Sequence, residues 1–143
     1  MTDLPPLLRD QRKVDADHLN LLAIFHFVGA GFAVVGLLFL CAHYAFMHFI
    51  FANPKFWEGQ KGSPPPVELF AIFKWFYLVF ALWLVVSLGL NVISGFCLRA
   101  RKGRTFSLVV AAVNCLHIPV GTTLGVFTMV VLLRDSVREL YEA

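Results

Sequence analysis

Acidic side chains are missing from every long apolar stretch of this 143-residue chain. Residues 19–54 and 105–133 contain no charged residue, and residues 69–98 contain only Lys74. Hydrophobic residues make up 59% of the chain and charged residues 15%, whereas a soluble domain has about 25% charged residues. Each stretch exceeds the ~18 residues that a membrane-spanning helix needs. We therefore predict an integral membrane protein whose solvent is the lipid bilayer.

Several other signals are also absent. The stretches lack the alternation of a membrane barrel, which indicates helices. The first 18 residues have four acids, three bases and no apolar core, so we expect no cleavable signal peptide. Three cysteines lie far apart without a C-x-x-C motif, which is typical of free thiols and predicts no metal site: Cys41, Cys97 and Cys115.

Catalytic signatures are missing as well. The sequence contains no H-E-x-x-H, G-x-S-x-G, phosphate-binding loop or dinucleotide-binding motif. No nucleophile has a base at helical spacing, so we predict that the protein is not an enzyme. Residues 99–104 carry four positive charges, enough to contact anionic lipid headgroups. This loop is short and lacks interleaved aromatic residues, which argues against nucleic acid as a partner.

The stretch 105–133 has two interpretations, because Pro119-Val120-Gly121 interrupts it. One kinked helix gives three spans, with seven flanking Lys or Arg inside and four outside. A hairpin gives four spans, with nine inside and two outside, which the positive-inside rule prefers. Arms of 14 residues reach only ~21 Å, but neighbouring helices can shelter a turn at membrane depth. We favour the hairpin and keep the kinked helix as the alternative.

The predicted architecture is thus an all-α, polytopic membrane bundle of four transmembrane helices, the last two short. Both termini are placed on the cytoplasmic side of the membrane, which is the side of the basic loop. The predicted parts are a tail (1–18), a transmembrane domain (19–134, with helices at 19–51, 67–98, 105–118 and 120–134) and a short amphipathic tail (135–143). The first helix is predicted to begin near His18, just after Asp15-Ala16-Asp17, because acidic residues favour a helix N-terminus.

A resemblance supports the hairpin. The segment Pro119-Val120-Gly121-Thr122-Thr123-Leu124-Gly125, followed by Leu132-Leu133-Arg134, resembles the C-terminal half of a group of small, uncharacterised bacterial inner-membrane proteins. These proteins similarly have a long first span and a basic loop before a P-x-G-T-x-L-G segment, and they are drawn with four helices. The resemblance implies the hairpin and a bacterial source. It implies no activity, so it assigns no functional residues.

Small and polar residues recur at helical spacing within the predicted spans. Small residues let membrane helices approach closely, and Asn or Ser supplies hydrogen bonds between them. We predict that they form packing seams within the chain, with an oligomer contact as the alternative. These residues are Gly29, Ala33, Gly36, Ser87, Asn91, Gly95, Asn114, Gly121 and Gly125.

Two further hypotheses concern ligands. His26 and His117 lie within predicted spans and are a possible pair of haem ligands, although their depths differ by roughly 8 Å. Thr122 and Thr123 follow the Pro-Gly turn, a position that suits either a helix cap or the lining of a small homo-oligomeric pore. The leading prediction is a non-catalytic accessory or interaction protein without a cofactor, which contacts itself or other membrane proteins. A pore and a b-type haem protein are the alternatives.

Overall fold

The structure is a computed structural model that describes residues 6–58 and 67–142. These residues contain five α-helices, one 3-10 helix and no strand, which confirms the predicted all-α class for this part of the chain. The elements are α1 (Pro6–Ala52), the 3-10 helix (Pro54–Phe56), α2 (Val67–Ala100), α3 (Arg104–Asn114), α4 (Val120–Leu132) and α5 (Asp135–Glu142).

Helix α1 begins earlier than predicted. The prediction placed a tail over residues 1–18, of which 1–5 lie outside the described part, yet α1 starts at Pro6 and runs for 47 residues, ~70 Å. Proline is tolerated in the first turn of a helix because its missing N–H has no helical partner there. Asp15, which we took as a signal for a helix start, is instead buried inside α1 and paired with Arg134. A tertiary contact therefore overrides the local signal.

Helix α2 ends at a turn that shapes the basic loop. The amide of Lys102 donates to the carbonyl of Cys97 (2.9 Å), and Arg101 adopts the left-handed region with φ 53°. This is the pattern of a Schellman cap, in which glycine usually takes the left-handed position. Gly103 follows with φ 64°, so the chain reverses within a few residues and α3 begins at Arg104.

Helices α3 and α4 form an antiparallel hairpin and not one kinked helix. Gly125 on α4 packs against Ala111 on α3, and the Arg104 side chain reaches the carbonyl of Leu132. Helix α3 ends at Asn114, four residues before the predicted end. Pro119 disfavours helical geometry in the residue before it and offers no N–H. The arms have 11 and 13 residues, only ~16 and ~20 Å.

Two helices in the described residues are long and apolar enough to cross a membrane: Asp10–Ala52 within α1 and Ala71–Ala100 within α2. A third span is possible only if α4 and α5, which bend by 74° at their junction, count as one broken helix. Helix α3 is apolar but shorter. The structure therefore supports two to three possible spans.

The chain divides into two compact units. The first contains the residues up to Gly31 and those from Ser87 onward, and the second is Phe32–Val86. The core of the first unit is formed by Leu19, Leu22, Ala23, Leu98, Val131, Leu132 and Val137.

The second unit pairs the later part of α1 with the first part of α2. Leu84 lies 3.5 Å from where a Cβ on Gly36 would stand. Nδ1 of His43 and the hydroxyl of Tyr77 are 2.6 Å apart, and Tyr44 meets Tyr77 edge-to-face. The order of these contacts shows that the two helix segments are antiparallel. Aromatic side chains join them through a hydrogen bond and a ring contact.

Candidate functional site

Four buried polar side chains meet inside the first unit, each from a different helix. They are His26 on α1, Asn91 on α2, Asn114 on α3 and Thr128 on α4. Each is at most 4% exposed. An unpaired polar group in apolar surroundings costs several kcal/mol in the bilayer, so the arrangement of their hydrogen bonds decides what this cluster can do. We call these four residues the polar cluster.

Asn91 and Asn114 form the centre of the polar cluster. Nδ2 of Asn91 donates to Oδ1 of Asn114 (3.1 Å), and Nδ2 of Asn114 donates to Oδ1 of Asn91 (2.9 Å). The second proton of the Asn91 amide goes to the backbone carbonyl of Ser87 (2.9 Å). This reciprocal pair ties α2 to α3 with both amide groups, and it uses the two asparagines that lie at similar sequence distances from the basic loop.

His26 extends the polar cluster from α2 to α4. Its Nδ1 lies 2.9 Å from Oδ1 of Asn91, and its Nε2 lies 3.3 Å from Oγ1 of Thr128. An amide oxygen only accepts hydrogen bonds, so Nδ1 carries the proton. The Thr128 hydroxyl also lies 2.7 Å from the carbonyl of Leu124, and it donates either to that carbonyl or to Nε2. Both ring nitrogens therefore lie within hydrogen-bond distance of a neighbouring side chain.

This geometry bears on the haem hypothesis. An iron ligand needs one ring nitrogen directed at the metal, whereas both ring nitrogens of His26 face neighbouring side chains at 2.9 and 3.3 Å. His117 lies in the connection between α3 and α4. A Cβ added to Gly121 would stand 2.5 Å from the Cβ of His117, so the two residues are in close contact. The described residues contain no group of three or more His, Cys, Asp or Glu that could hold a metal ion. His26 takes part in the hydrogen bonding of the polar cluster, and the haem pair of His26 and His117 stays a hypothesis.

The two threonines after the Pro-Gly turn form hydrogen bonds with the backbone of the connection between α3 and α4. The hydroxyl of Thr122 donates to the carbonyl of Cys115 (2.8 Å), and that of Thr123 donates to the carbonyl of Pro119 (3.0 Å). Backbone groups that lie at membrane depth need partners of this kind, because no water reaches them. Both hydroxyls thus bond carbonyls of the connection between α3 and α4, and among the described residues no side chain caps the N-terminus of α4 at Pro119.

Most of the predicted small residues lie at contacts within their own units. Gly121 and Gly125 pack against α3, Gly95 lies against the ring of Phe27, and Gly29 lies against Asn91. The remaining predicted positions are Ala33, which is buried, Gly36 against Leu84, and Ser87 beneath Asn91.

Thr128 is the member of the polar cluster that the sequence analysis missed. A signal for it exists: Gly121, Gly125 and Thr128 follow one another at i, i+4 and i+7, the spacing of one helix face. Thr128 therefore lies on the same face of α4 as these two small residues. A single threonine in an apolar helix most often bonds only the backbone of its own helix, whereas Thr128 lies within reach of His26 as well as of the carbonyl of Leu124.

A second group of polar contacts joins both ends of the described chain. Nη1 of Arg134 lies 3.2 Å from Oδ1 of Asp15 and 3.4 Å from Nδ1 of His18. Arg12 pairs with Glu139 at 3.4 Å. These contacts join α1 to Arg134 and helix α5, and the bond from Arg104 to the carbonyl of Leu132 brings the loop at 99–104 to the same end of the first unit.

Removal of Arg134 provides a test of this group. Asp15 is fully buried, and a buried carboxylate that loses its cation is strongly destabilising. Because Arg134 is itself 39% exposed, we expect Arg134→Gln to cost only roughly 2 kcal/mol, measured as unfolding in a detergent titration followed by circular dichroism. Arg138→Gln is the matched control, since its pair with Glu142 is exposed on both sides. Equal effects of the two variants would contradict the role of Arg134.

The chain was compared with protein-family models, curated proteins and solved structures. None of the three comparisons gives a match. The fold and the site therefore define the class: an all-α protein, in its described part, with two to three helices that could cross a membrane and a buried polar cluster in one of its two units.

Proposed function

We propose that this protein is a non-catalytic accessory or interaction protein of a bacterial inner membrane, which associates with itself or with another membrane protein. The observation that carries the proposal is the division of polar and apolar side chains. The side chains of the polar cluster form their hydrogen bonds with one another and with the nearby backbone. The outer faces of α1 and α2 carry large apolar side chains, which suit contacts with lipid and with other membrane helices.

The outer surface of the two long helices supports this proposal. Phe39 is 69% exposed and Trp75 is 70% exposed, so large aromatic groups point away from the rest of the chain. Gly31 on α1 is exposed, and a Cβ added there would meet nothing within 4 Å. A small residue on the outside of a membrane helix permits close approach of a second helix. We therefore place the association at the face of α1 that contains Gly31.

The proposed topology has four helices in the membrane, the last two as the short hairpin of α3 and α4, with both termini in the cytoplasm. It is supported by the contacts that bring α5 and the start of α1 to the end of the first unit that contains the basic loop. Clusters of Lys and Arg beside a span favour the cytoplasmic side. Labelling of single cysteines near Arg12 and near Glu142 from outside intact cells tests this topology, and efficient labelling at either position would contradict it.

Purification of the full chain in mild detergent, with light scattering to measure the protein mass, tests the association. We expect either a multiple of the 16.1 kDa chain mass or a second protein in the same peak. A monomer of 16.1 kDa without any other protein would contradict the proposal.

A pair of glycine variants sharpens this experiment. Gly31→Ile adds bulk to the proposed contact, and we expect it to shift the peak to the monomer while helicity is unchanged. Gly89→Ile is the matched control, because Gly89 on α2 also has open space around a Cβ. Retention of the full mass by Gly31→Ile would place the association elsewhere and exclude this face.

A further inference from the structure

A surface cavity lies between the loop that follows α2 and the short helix α5. Its volume is about 420 Å³. Both bordering elements belong to the first unit, so the cavity is formed within one compact part of the chain. We call it the basic cavity, and the lining residues that matter for its chemistry are Arg101, Lys102, Arg104, Arg138, Tyr141 and Glu142.

The backbone of the loop determines which side chains reach the basic cavity. The left-handed conformations of Arg101 and Gly103 reverse the chain between α2 and α3. As a result, Arg101 and Arg104 line the same cavity although α3 runs back from α2. Nε of Arg104 donates to the carbonyl of Leu132 (2.8 Å). This bond fixes the base of the guanidinium and leaves its two terminal nitrogens for other partners.

The charge in the basic cavity is not balanced by the chain itself. Four cationic side chains and one carboxylate line it, and that carboxylate, Glu142, is paired with Arg138 at 3.0 Å. Within residues 6–58 and 67–142, no ion pair involves Arg101, Lys102 or Arg104. Three cations therefore line one cavity without a counterion from the described chain.

Tyr141 adds a hydrogen-bond donor. Its hydroxyl is buried and has no hydrogen-bond partner among the described residues. Burial raises the pKa of this hydroxyl to about 12, with a further rise from Cys97, while Arg104 and Arg101 act in the opposite direction. Tyr141 lines the same cavity as Arg101 and Arg104. At neutral pH its hydroxyl is protonated and can donate to an anion.

We propose that the basic cavity binds a phosphate group, with Arg101, Lys102 and Arg104 neutralising its charge and the Tyr141 hydroxyl donating to one of its oxygens. Guanidinium groups match phosphate oxygens in charge and geometry. The phosphate comes either from the headgroup of an anionic phospholipid, as expected for a basic site beside a membrane helix, or from a free phosphate in solution. This inference goes beyond the proposed function and does not depend on any protein partner.

The test is a binding titration on the full-length chain purified in a neutral detergent. Native mass spectrometry measures the occupancy by phosphatidylglycerol and, as the uncharged comparison, by phosphatidylcholine, and calorimetry measures the binding of inorganic phosphate. We expect phosphatidylglycerol to bind at least about tenfold more tightly than phosphatidylcholine. Tight binding of inorganic phosphate with no preference between the two lipids would instead identify a free phosphate as the ligand. That result also supports phosphate binding in the basic cavity.

Single substitutions locate the bound phosphate. Arg101→Gln is expected to weaken binding about tenfold and Tyr141→Phe about fivefold, because each removes one hydrogen bond to a charged group. Arg99→Gln is the matched control: it removes a neighbouring exposed cation from the same helix end but does not line the cavity. We expect it to change affinity by less than about twofold.

Two outcomes overturn the proposal. One is an equal loss of affinity in Arg99→Gln and Arg101→Gln, which would mean general attraction to a positive surface. The other is the absence of selective binding of either phosphate source. Circular dichroism on each variant distinguishes a loss of binding from a loss of fold. Tyr141→Phe is the mildest of these changes, because it removes only the hydroxyl oxygen. The result is independent of the light-scattering experiment, since a monomer can bind phosphate and an oligomer can fail to do so.

Discussion

Gly125→Ala is expected to destabilise the hairpin of α3 and α4, although the same change in a helix usually stabilises it. A Cβ on Gly125 would overlap the carbonyl oxygen of Ala111 and would stand 2.6 Å from the sulfur of Cys115. The carbonyl belongs to the backbone of α3, so relief requires the two helices to separate. Overpacking of this kind costs about 3 kcal/mol. The measurement is the unfolding free energy from a detergent titration followed by circular dichroism.

The matched control is Gly89→Ala. Gly89 lies in α2, and a Cβ there would meet nothing within 4 Å. Alanine has the higher helix propensity by about 1 kcal/mol, so we expect this variant to be slightly more stable than the parent chain. We therefore expect the same substitution, Gly to Ala, to lower the unfolding free energy at Gly125 and to raise it at Gly89. A stable Gly125→Ala protein would mean that α3 and α4 do not pack through this glycine.

Asn91→Leu is expected to have the second large effect, a loss of roughly 3 kcal/mol. Leucine has a similar size, so the change mainly removes hydrogen bonds. It leaves the amide of Asn114 and Nδ1 of His26 without their partners in the interior of the first unit. Asn20→Leu on the exposed face of α1 is the control, and we expect it to change stability by less than about 0.5 kcal/mol.

A double-mutant cycle separates the amide pair from general packing. If the reciprocal bonds carry the effect of Asn91→Leu, then Asn114→Leu in the same chain should add little, because the partner is already lost. Additivity within about 0.5 kcal/mol would indicate that the two asparagines are independent. His26→Phe, added to the cycle as a third variant, tests whether the histidine depends on the same pair.

Several elements were predictable because their causes are local. Pro119 and Gly121 interrupt an uncharged stretch, and the structure has a turn there with α4 starting at Val120. The spacing of Asn91 with Ser87 and Gly95 predicted one face of α2, and on this face Asn91 and Gly95 are buried. The start of α1 was wrong because Asp15 and Asp17 are read locally as an N-terminal signal. Asp15 instead pairs with Arg134, which lies more than 100 residues away.

The sequence by itself determined the helical class and the apolar stretches, because periodicity, charge and proline act on neighbouring residues. It also identified most of the side chains in the polar cluster as polar groups in apolar surroundings. Only the tertiary structure decided their partners: which nitrogen of His26 faces Asn91, that Thr128 completes the cluster, and that the basic loop and α5 enclose one cavity. Such contacts join residues far apart in the chain, and their geometry depends on how the helices pack, which no local pattern specifies.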